Sequence, residues 1–168
     1  MSIPRVSRIE SPLAGAERRG KLSLRLWLRL LACETMVEHD IRSRLRNSFG
    51  VTLPQFDVLS ELEHAGHALT MSELSRELMV SNGNITGVID RLERDGMVSR
   101  RPSETDRRVQ YIELTESGLE QFRSMAREHE NWLQQLFGEL STGEMQQLEN
   151  LLREAKASIR TALAEEAS

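Results

Sequence analysis

From Leu22 onward the apolar residues of this chain recur at three- and four-residue steps, and that rhythm breaks once, after Gly96. Steps of three and four align side chains on one face of an α-helix. A chain with this spacing on both sides of a single short interruption is expected to be mainly α, with a small β-hairpin. The first helical stretch carries Leu26, Leu30, Cys33, Val37, Ile41 and Leu45 and ends near Gly50. A second row, Leu24, Trp27, Leu28 and Leu31, makes its front half apolar on two sides, which predicts a helix covered by two partners.

Local signals divide the rest. Thr52 with Gln55, Thr70 with Glu73 and Ser141 with Glu144 have the spacing of capping boxes, in which a hydroxyl and a carboxylate or amide three residues on satisfy free N–H groups at a helix start. Ser81 opens a short helix whose apolar face is Ile85, Val88, Ile89 and Leu92, and Gly96 is its natural stop. MVSRR and RVQYIEL then follow, rich in β-branched residues and joined by the turn composition PSETD, and read as a hairpin. Thr115 caps a long helix with the seam Leu119, Phe122, Ala126, His129, Leu133, Leu136 and Leu140, and Met145, Leu148, Leu152, Ala155, Ile159 and Ala162 repeat the seam.

Charge is segregated along the chain. The net charge is -4, yet residues 1–30 hold seven basic and two acidic groups, and the stretch from Glu113 to the end holds five basic residues and eleven glutamates. The total therefore argues neither for nor against a polyanionic partner, and a local basic patch decides. No stretch has the length and apolarity of a membrane span or the core of a secretory signal, and the single cysteine, Cys33, has no internal disulfide partner. A cytoplasmic protein with no membrane partner is expected.

Three helices followed by a hairpin, the third helix short and polar on its outer face, is the order of a winged helix-turn-helix. The third helix would enter a major groove of double-stranded DNA, and a hairpin with Arg101, Arg107 and Arg108 would follow the phosphates or reach into a minor groove. The stretch LTMSELSRELMVSNGNITGVIDRLERDGMVSRRPSETDRRVQYIELTESG, with Asp106, Arg107 and Arg108 at the wing tip, resembles the core of the MarR family of bacterial transcriptional regulators. Residues 51–115 then form the winged helix-turn-helix, 21–50 and 116–165 are flanking dimerisation helices, and 1–20 are a flexible basic arm. DNA contacts are expected from Ser72, Ser81, Asn82, Asn84, Thr86, Arg91, Arg101, Ser103, Arg107 and Arg108. Asp106 is expected to pair with an arginine and hold the tip's shape.

The resemblance further implies a homodimer on a pseudo-palindromic operator, usually repressing, and released by a small aromatic acid bound beneath the first helix. Trp27, Leu31, Phe56 and Trp132 would line that pocket, with Arg25 or Arg42 meeting the anion. LWLRLLACETMVEHDIRSRLR is similar to regulators of aromatic-acid catabolism, some of which answer to hydroxycinnamoyl-CoA thioesters, so an aryl-CoA effector is a second form of the same expectation.

Other readings are weaker. Cys33 lies mid-helix on an apolar row and is expected to be a buried, inert thiol rather than a redox sensor. His64 and His67 with Glu61 and Glu63 have permissive spacing for a metal but lack a second ligand pair, so no metal or cofactor is expected. No nucleophilic triad or phosphate-binding glycine loop occurs, so no enzyme is expected. A winged-helix dimer serving as a protein-interaction module is the alternative to a DNA-binding regulator.

Overall fold

The structure, a computed structural model, describes residues 12–106 and 108–166, and the side chains of residues 12–17 and of Asn82 fall outside that description. The expected DNA contacts of Arg107 and of the Asn82 side chain, and residues 1–11 of the basic arm, lie outside the described residues. Along the chain run α1 (Pro12–Phe49), α2 (Leu53–Ala65), β1 (Leu69–Thr70), α3 (Met71–Glu77), α4 (Asn82–Arg94), β2 (Val98–Pro102), β3 (Gln110–Leu114), α5 (Glu116–Leu136) and α6 (Thr142–Glu166). They fall into two compact units, Met1–Leu53 and Pro54–Ser168.

In the first unit α1 begins at Pro12, ten residues before the expected Leu22, so residues 12–20 are helical rather than part of a flexible arm. Proline suits the first helical position because its missing N–H has no intrahelical acceptor there, and Leu13, Ala14 and Ala16 favour continuation. Ile41 and Leu45 are buried, whereas Leu22, Leu24, Leu26, Trp27 and Leu28 are each more than half exposed. Cys33 is exposed as well, which corrects the expectation of a buried thiol.

The second unit is built on caps that operate as read. Thr70 accepts the Glu73 N–H at 3.2 Å while the Glu73 carboxylate accepts the Thr70 N–H at 2.8 Å. Those bonds favour the ionised form and hold the Glu73 carboxyl below its usual range, the backbone bond most of all. Ser141 and Glu144 repeat the arrangement at the start of α6. α2 starts directly after Thr52, and Gln55 is buried.

The sheet holds one strand more than expected. β1 pairs antiparallel with β3 through Leu69 with Ile112 and Thr70 with Tyr111, and β3 pairs with β2 from Val98 with Leu114 to Pro102 with Gln110. A two-residue strand has no period of its own to read. It exists because β3 offers a free edge.

The start of α5 is locked onto the end of β2's entry loop. Thr115 donates its hydroxyl to the Gly96 carbonyl at 2.7 Å, its N–H to the Met97 carbonyl at 3.0 Å, and accepts the Gly118 N–H at 2.9 Å. A Cβ on Gly118 would stand 1.8 Å from the Met97 carbonyl oxygen, so this close approach requires glycine. On α5 the buried face is Phe122, Met125 and Trp132 with half-buried His129, while Ala126 and Leu133 of the expected seam are only half-buried. Phe56 of α2 meets Phe122 and His129 with ring centroids 5.5 and 4.9 Å apart. Burial pushes the His129 pKa down from its usual value. α6 buries no residue at all.

Candidate nucleic-acid interface

α4 has two opposed faces. Ile85, Ile89 and Leu92 are 0–1% exposed and anchor the helix in the core. Opposite them Gly83, Asn84, Thr86, Gly87, Asp90, Arg91 and Arg94 are exposed. Ser81 is exposed and acts as the N-cap, its hydroxyl accepting the Asn84 N–H at 3.4 Å. The capping role expected of Ser81 in any fold is therefore met, and the Asn84 side chain projects beyond it.

The two glycines of α4 have no packing reason within the chain. A Cβ at Gly83 or Gly87 would meet nothing within 4 Å. An interior helical glycine costs roughly 1 kcal/mol relative to alanine, and here nothing inside the protein offsets that cost. A smooth surface about one turn long, flanked by short hydrogen-bonding side chains and with arginines toward the end of the helix, suits close approach to a groove.

α3 is joined to α4 by the turn Leu78–Met79–Val80, where Met79 adopts φ 54° and is 91% exposed. The Val80 N–H is held by the Ser75 carbonyl at 3.0 Å, so the turn is closed by backbone bonds. Ser72, in the first turn of α3, is exposed beside the Thr70 cap.

The wing sorts its arginines by role. Arg100 shares a strand face with buried Val98, and its guanidinium pairs with Asp90 and lies 3.1 Å from Glu93, both on α4. Arg101 leaves the opposite face, sits 5.9 Å above the Tyr111 ring and 3.8 Å from Glu113, and keeps 63% of its side chain exposed. Arg108 is exposed at the tip. Asp106 holds the tip by accepting the Arg108 backbone N–H at 2.9 Å, and a pairing with Arg107 lies outside the described residues. Ser103 is taken up in shaping the loop, since its hydroxyl oxygen accepts the N–H groups of Thr105 and Asp106 at 3.3 and 3.4 Å.

Ser81, Asn84, Thr86 and Arg91 are thus gathered on one helix face, with Arg101 and Arg108 on the neighbouring hairpin. Comparison with known proteins gives the family. Residues 49–109 match the family model described as MarR family. A crystal structure of a MarR family transcriptional regulator from Silicibacter pomeroyi superposes with a TM-score of 0.73 at 30% identity, covering 84% of this chain and 97% of that one. The chain belongs to the MarR family of transcriptional regulators.

Among its relatives, the transcriptional activatory protein BadR of Rhodopseudomonas palustris is 38% identical over 105 residues, 61% of this chain and 59% of BadR. The transcriptional repressor MprA of Escherichia coli is 38% identical over 113 residues, 67% of this chain and 64% of MprA. The matched stretch therefore spans less than two thirds of either relative. The winged helix-turn-helix expected for this MarR chain is present, with its third helix and wing in the expected order.

The six residues considered for an effector divide between the two units. Phe56 and Trp132 are core residues of the second, 6% and 7% exposed. Arg25, Trp27, Leu31 and Arg42 lie exposed on α1, and Arg42 is paired with Glu38 one turn earlier. Arg100 and Gly118 are the two structural residues of this region that the sequence reading did not single out. Their partners lie ten and seven positions away for Arg100 and twenty-one for Gly118, on other elements and beyond the reach of local spacing.

Proposed function

We propose that the protein regulates transcription by binding double-stranded DNA as a homodimer, with α4 in the major groove and the wing along the flanking phosphates. The observation that carries this reading is the exposed face of α4, whose glycines serve no packing within the chain and whose neighbours are short polar groups and arginines. Asn84 and Thr86 would read base edges, Ser72 and Ser81 would support the approach, and Arg91, Arg101 and Arg108 would meet phosphates. Arg107 joins them on the strength of its place in the sequence.

The homodimer rests on uncovered apolar surface. α6 exposes Met145, Leu148, Leu151, Leu152, Ile159 and Leu163, and Phe137, Leu140, Met145, Leu148 and Leu152 line an open groove of about 460 Å³. α1 adds its own row from Leu22 to Leu31. Two-fold symmetry would set two copies of α4 about 34 Å apart, one turn of DNA. Selection from a pool of randomised duplexes tests the whole reading. Enrichment of two inverted half-sites at that spacing supports it, and failure to retain any duplex at low salt overturns it in favour of a protein-interaction module.

The effector proposed is a small aromatic acid or its CoA thioester, which would release a repressed operator. The support is the likeness of residues 26–46 to regulators of aromatic-acid catabolism, with Arg25 exposed on α1 for an anion and Arg42, which would exchange its Glu38 partner for it. One relative is named an activator and another a repressor, and repression is the sign proposed for this chain. Titration of free and DNA-bound protein with benzoic and cinnamic acids and their CoA thioesters, read by tryptophan fluorescence, should show tighter binding to the free form. Linkage requires that the operator weaken the ligand by the factor the ligand weakens the operator. Equal affinity for both forms rules a compound out as effector.

A further inference from the structure

Of the described wing arginines, Arg100, Arg101 and Arg108, Arg100 is the one turned inward. Its side chain is 25% exposed, and it reaches back from β2 to two carboxylates of α4, pairing with Asp90 and placing its Nε 3.1 Å from Glu93. Those carboxylates are themselves only half covered, at 49% and 44% exposure. Asp90 follows Thr86 by one helical turn, so it shares the face that would meet DNA. An acidic pair on that face opposes a polyanion, and a surface ion pair by itself adds little to stability. A planar guanidinium has the geometry to bridge two carboxylates from two elements at once, which an ammonium has not.

We propose that Arg100 is a positioning residue for DNA binding, bridging the recognition helix to the wing and holding Asp90 and Glu93 away from the phosphate backbone. This rests on the DNA-binding reading above. It makes Arg100 act through the two acids rather than through a phosphate of its own. Arg101 and Arg108 keep the outward role.

The experiment compares four full-length chains on a duplex selected by the wild-type protein: wild type, Arg100→Gln, Arg100→Lys, and the triple variant Asp90→Asn, Glu93→Gln, Arg100→Gln. Binding is measured over a salt series, and each chain is first melted to show that it is folded at the assay temperature. Arg100→Gln should bind about tenfold more weakly at low salt, with the salt slope flattened by about one unit, because two carboxylates are left facing the phosphates. Arg100→Lys should fall between it and wild type. The triple variant should recover wild-type affinity or exceed it, since the opposing charges are gone.

A fifth chain, Asp90→Asn with Glu93→Gln and Arg100 intact, tests for a direct contact: if it outbinds the triple variant by the factor by which wild type outbinds Arg100→Gln, Arg100 touches a phosphate itself and the proposal fails. If Arg100→Gln lowers only the melting temperature and leaves affinity and salt slope unchanged, the pair is merely structural and the proposal fails again. If the wild type retains no duplex in the selection, the DNA-binding reading itself is what has failed.

Discussion

α4 and α6 are both amphipathic helices, and they expose opposite things. α4 buries Ile85, Ile89 and Leu92 to 0–1% and leaves glycines, short polar residues and arginines outside. α6 buries nothing and leaves Leu148, Leu151, Leu152, Ile159 and Leu163 between 42% and 63% exposed. The apolar requirement of α4 is met inside its own chain, so its outer face is free to be polar and specific. That of α6 is unmet, and an apolar stripe of this length in water calls for another apolar surface. The same period in sequence therefore has two outcomes, one stripe covered within the unit and one left exposed, which the homodimer proposed above would cover.

The largest effects should come from those two apolar faces. Leu92→Ala removes a fully buried side chain and should cost about 2 to 5 kcal/mol, by an amount independent of protein concentration in chemical denaturation. Leu152→Asp should instead separate the chains in sedimentation at micromolar concentration and make the melting temperature lose its concentration dependence. Should Leu152→Asp sediment as the wild type does, α6 is not the dimer surface and the contrast between the two helices collapses.

Next in size is the junction that carries the wing. Gly118→Ala places a methyl against the Met97 backbone carbonyl, and backbone there cannot yield as a flexible side chain would. Destabilisation of about 1 to 3 kcal/mol is expected, visible as a lower urea midpoint. An unchanged midpoint would mean that α5 can move off the wing at no cost.

A smaller change with opposite signs in fold and function is expected at Gly87. Alanine there meets nothing within 4 Å, so Gly87→Ala should stabilise the fold by roughly 1 kcal/mol through helix propensity alone. The same methyl should weaken duplex binding if the face lies in a groove. Raised stability with undiminished binding would take the glycines out of the interface.

The smallest effect is a pH dependence. His129 has its pKa lowered from 6.5 by burial against Phe56, so below that pH the unfolded chain takes up a proton that the folded chain resists. Its contribution to stability is full above about 6.5 and is lost as pH falls toward the folded value. Denaturation midpoints between pH 7.5 and 5 should therefore decline less steeply in His129→Gln than in wild type, the range being chosen about the histidine's usual pKa. Parallel declines would place the titration elsewhere.

Much of the fold could be read before the structure because it is decided within four residues. The Thr70–Glu73 and Ser141–Glu144 boxes, the Ser81 and Thr115 caps, and the stops at Gly50, Gly66 and Gly96, all at φ near 70°, are local hydrogen bonding and local sterics. The polar face of α4 was legible for the same reason, since three buried positions at helical spacing fix which residues face out. The seam on α5 was less so: Met125 and Trp132 are buried while Ala126 and Leu133 are half-buried, and a row of apolar residues two positions wide does not say which edge faces the core.

What the sequence by itself determined is the order of the helices and the hairpin, the capped starts at Thr70, Ser81, Thr115 and Ser141, the glycine stops, and the chemistry of the face that α4 presents. Only the tertiary structure decided that β1 exists as a partner of β3, that Gly118 must lack a side chain, and that Arg100 turns inward to Asp90 and Glu93 while Arg101 turns out over Tyr111. The division follows from range. Capping and helical period are set by neighbours along the chain, whereas an edge strand, a backbone contact between residues 97 and 118 and an ion pair between a strand and a helix are set by neighbours that the fold brings together.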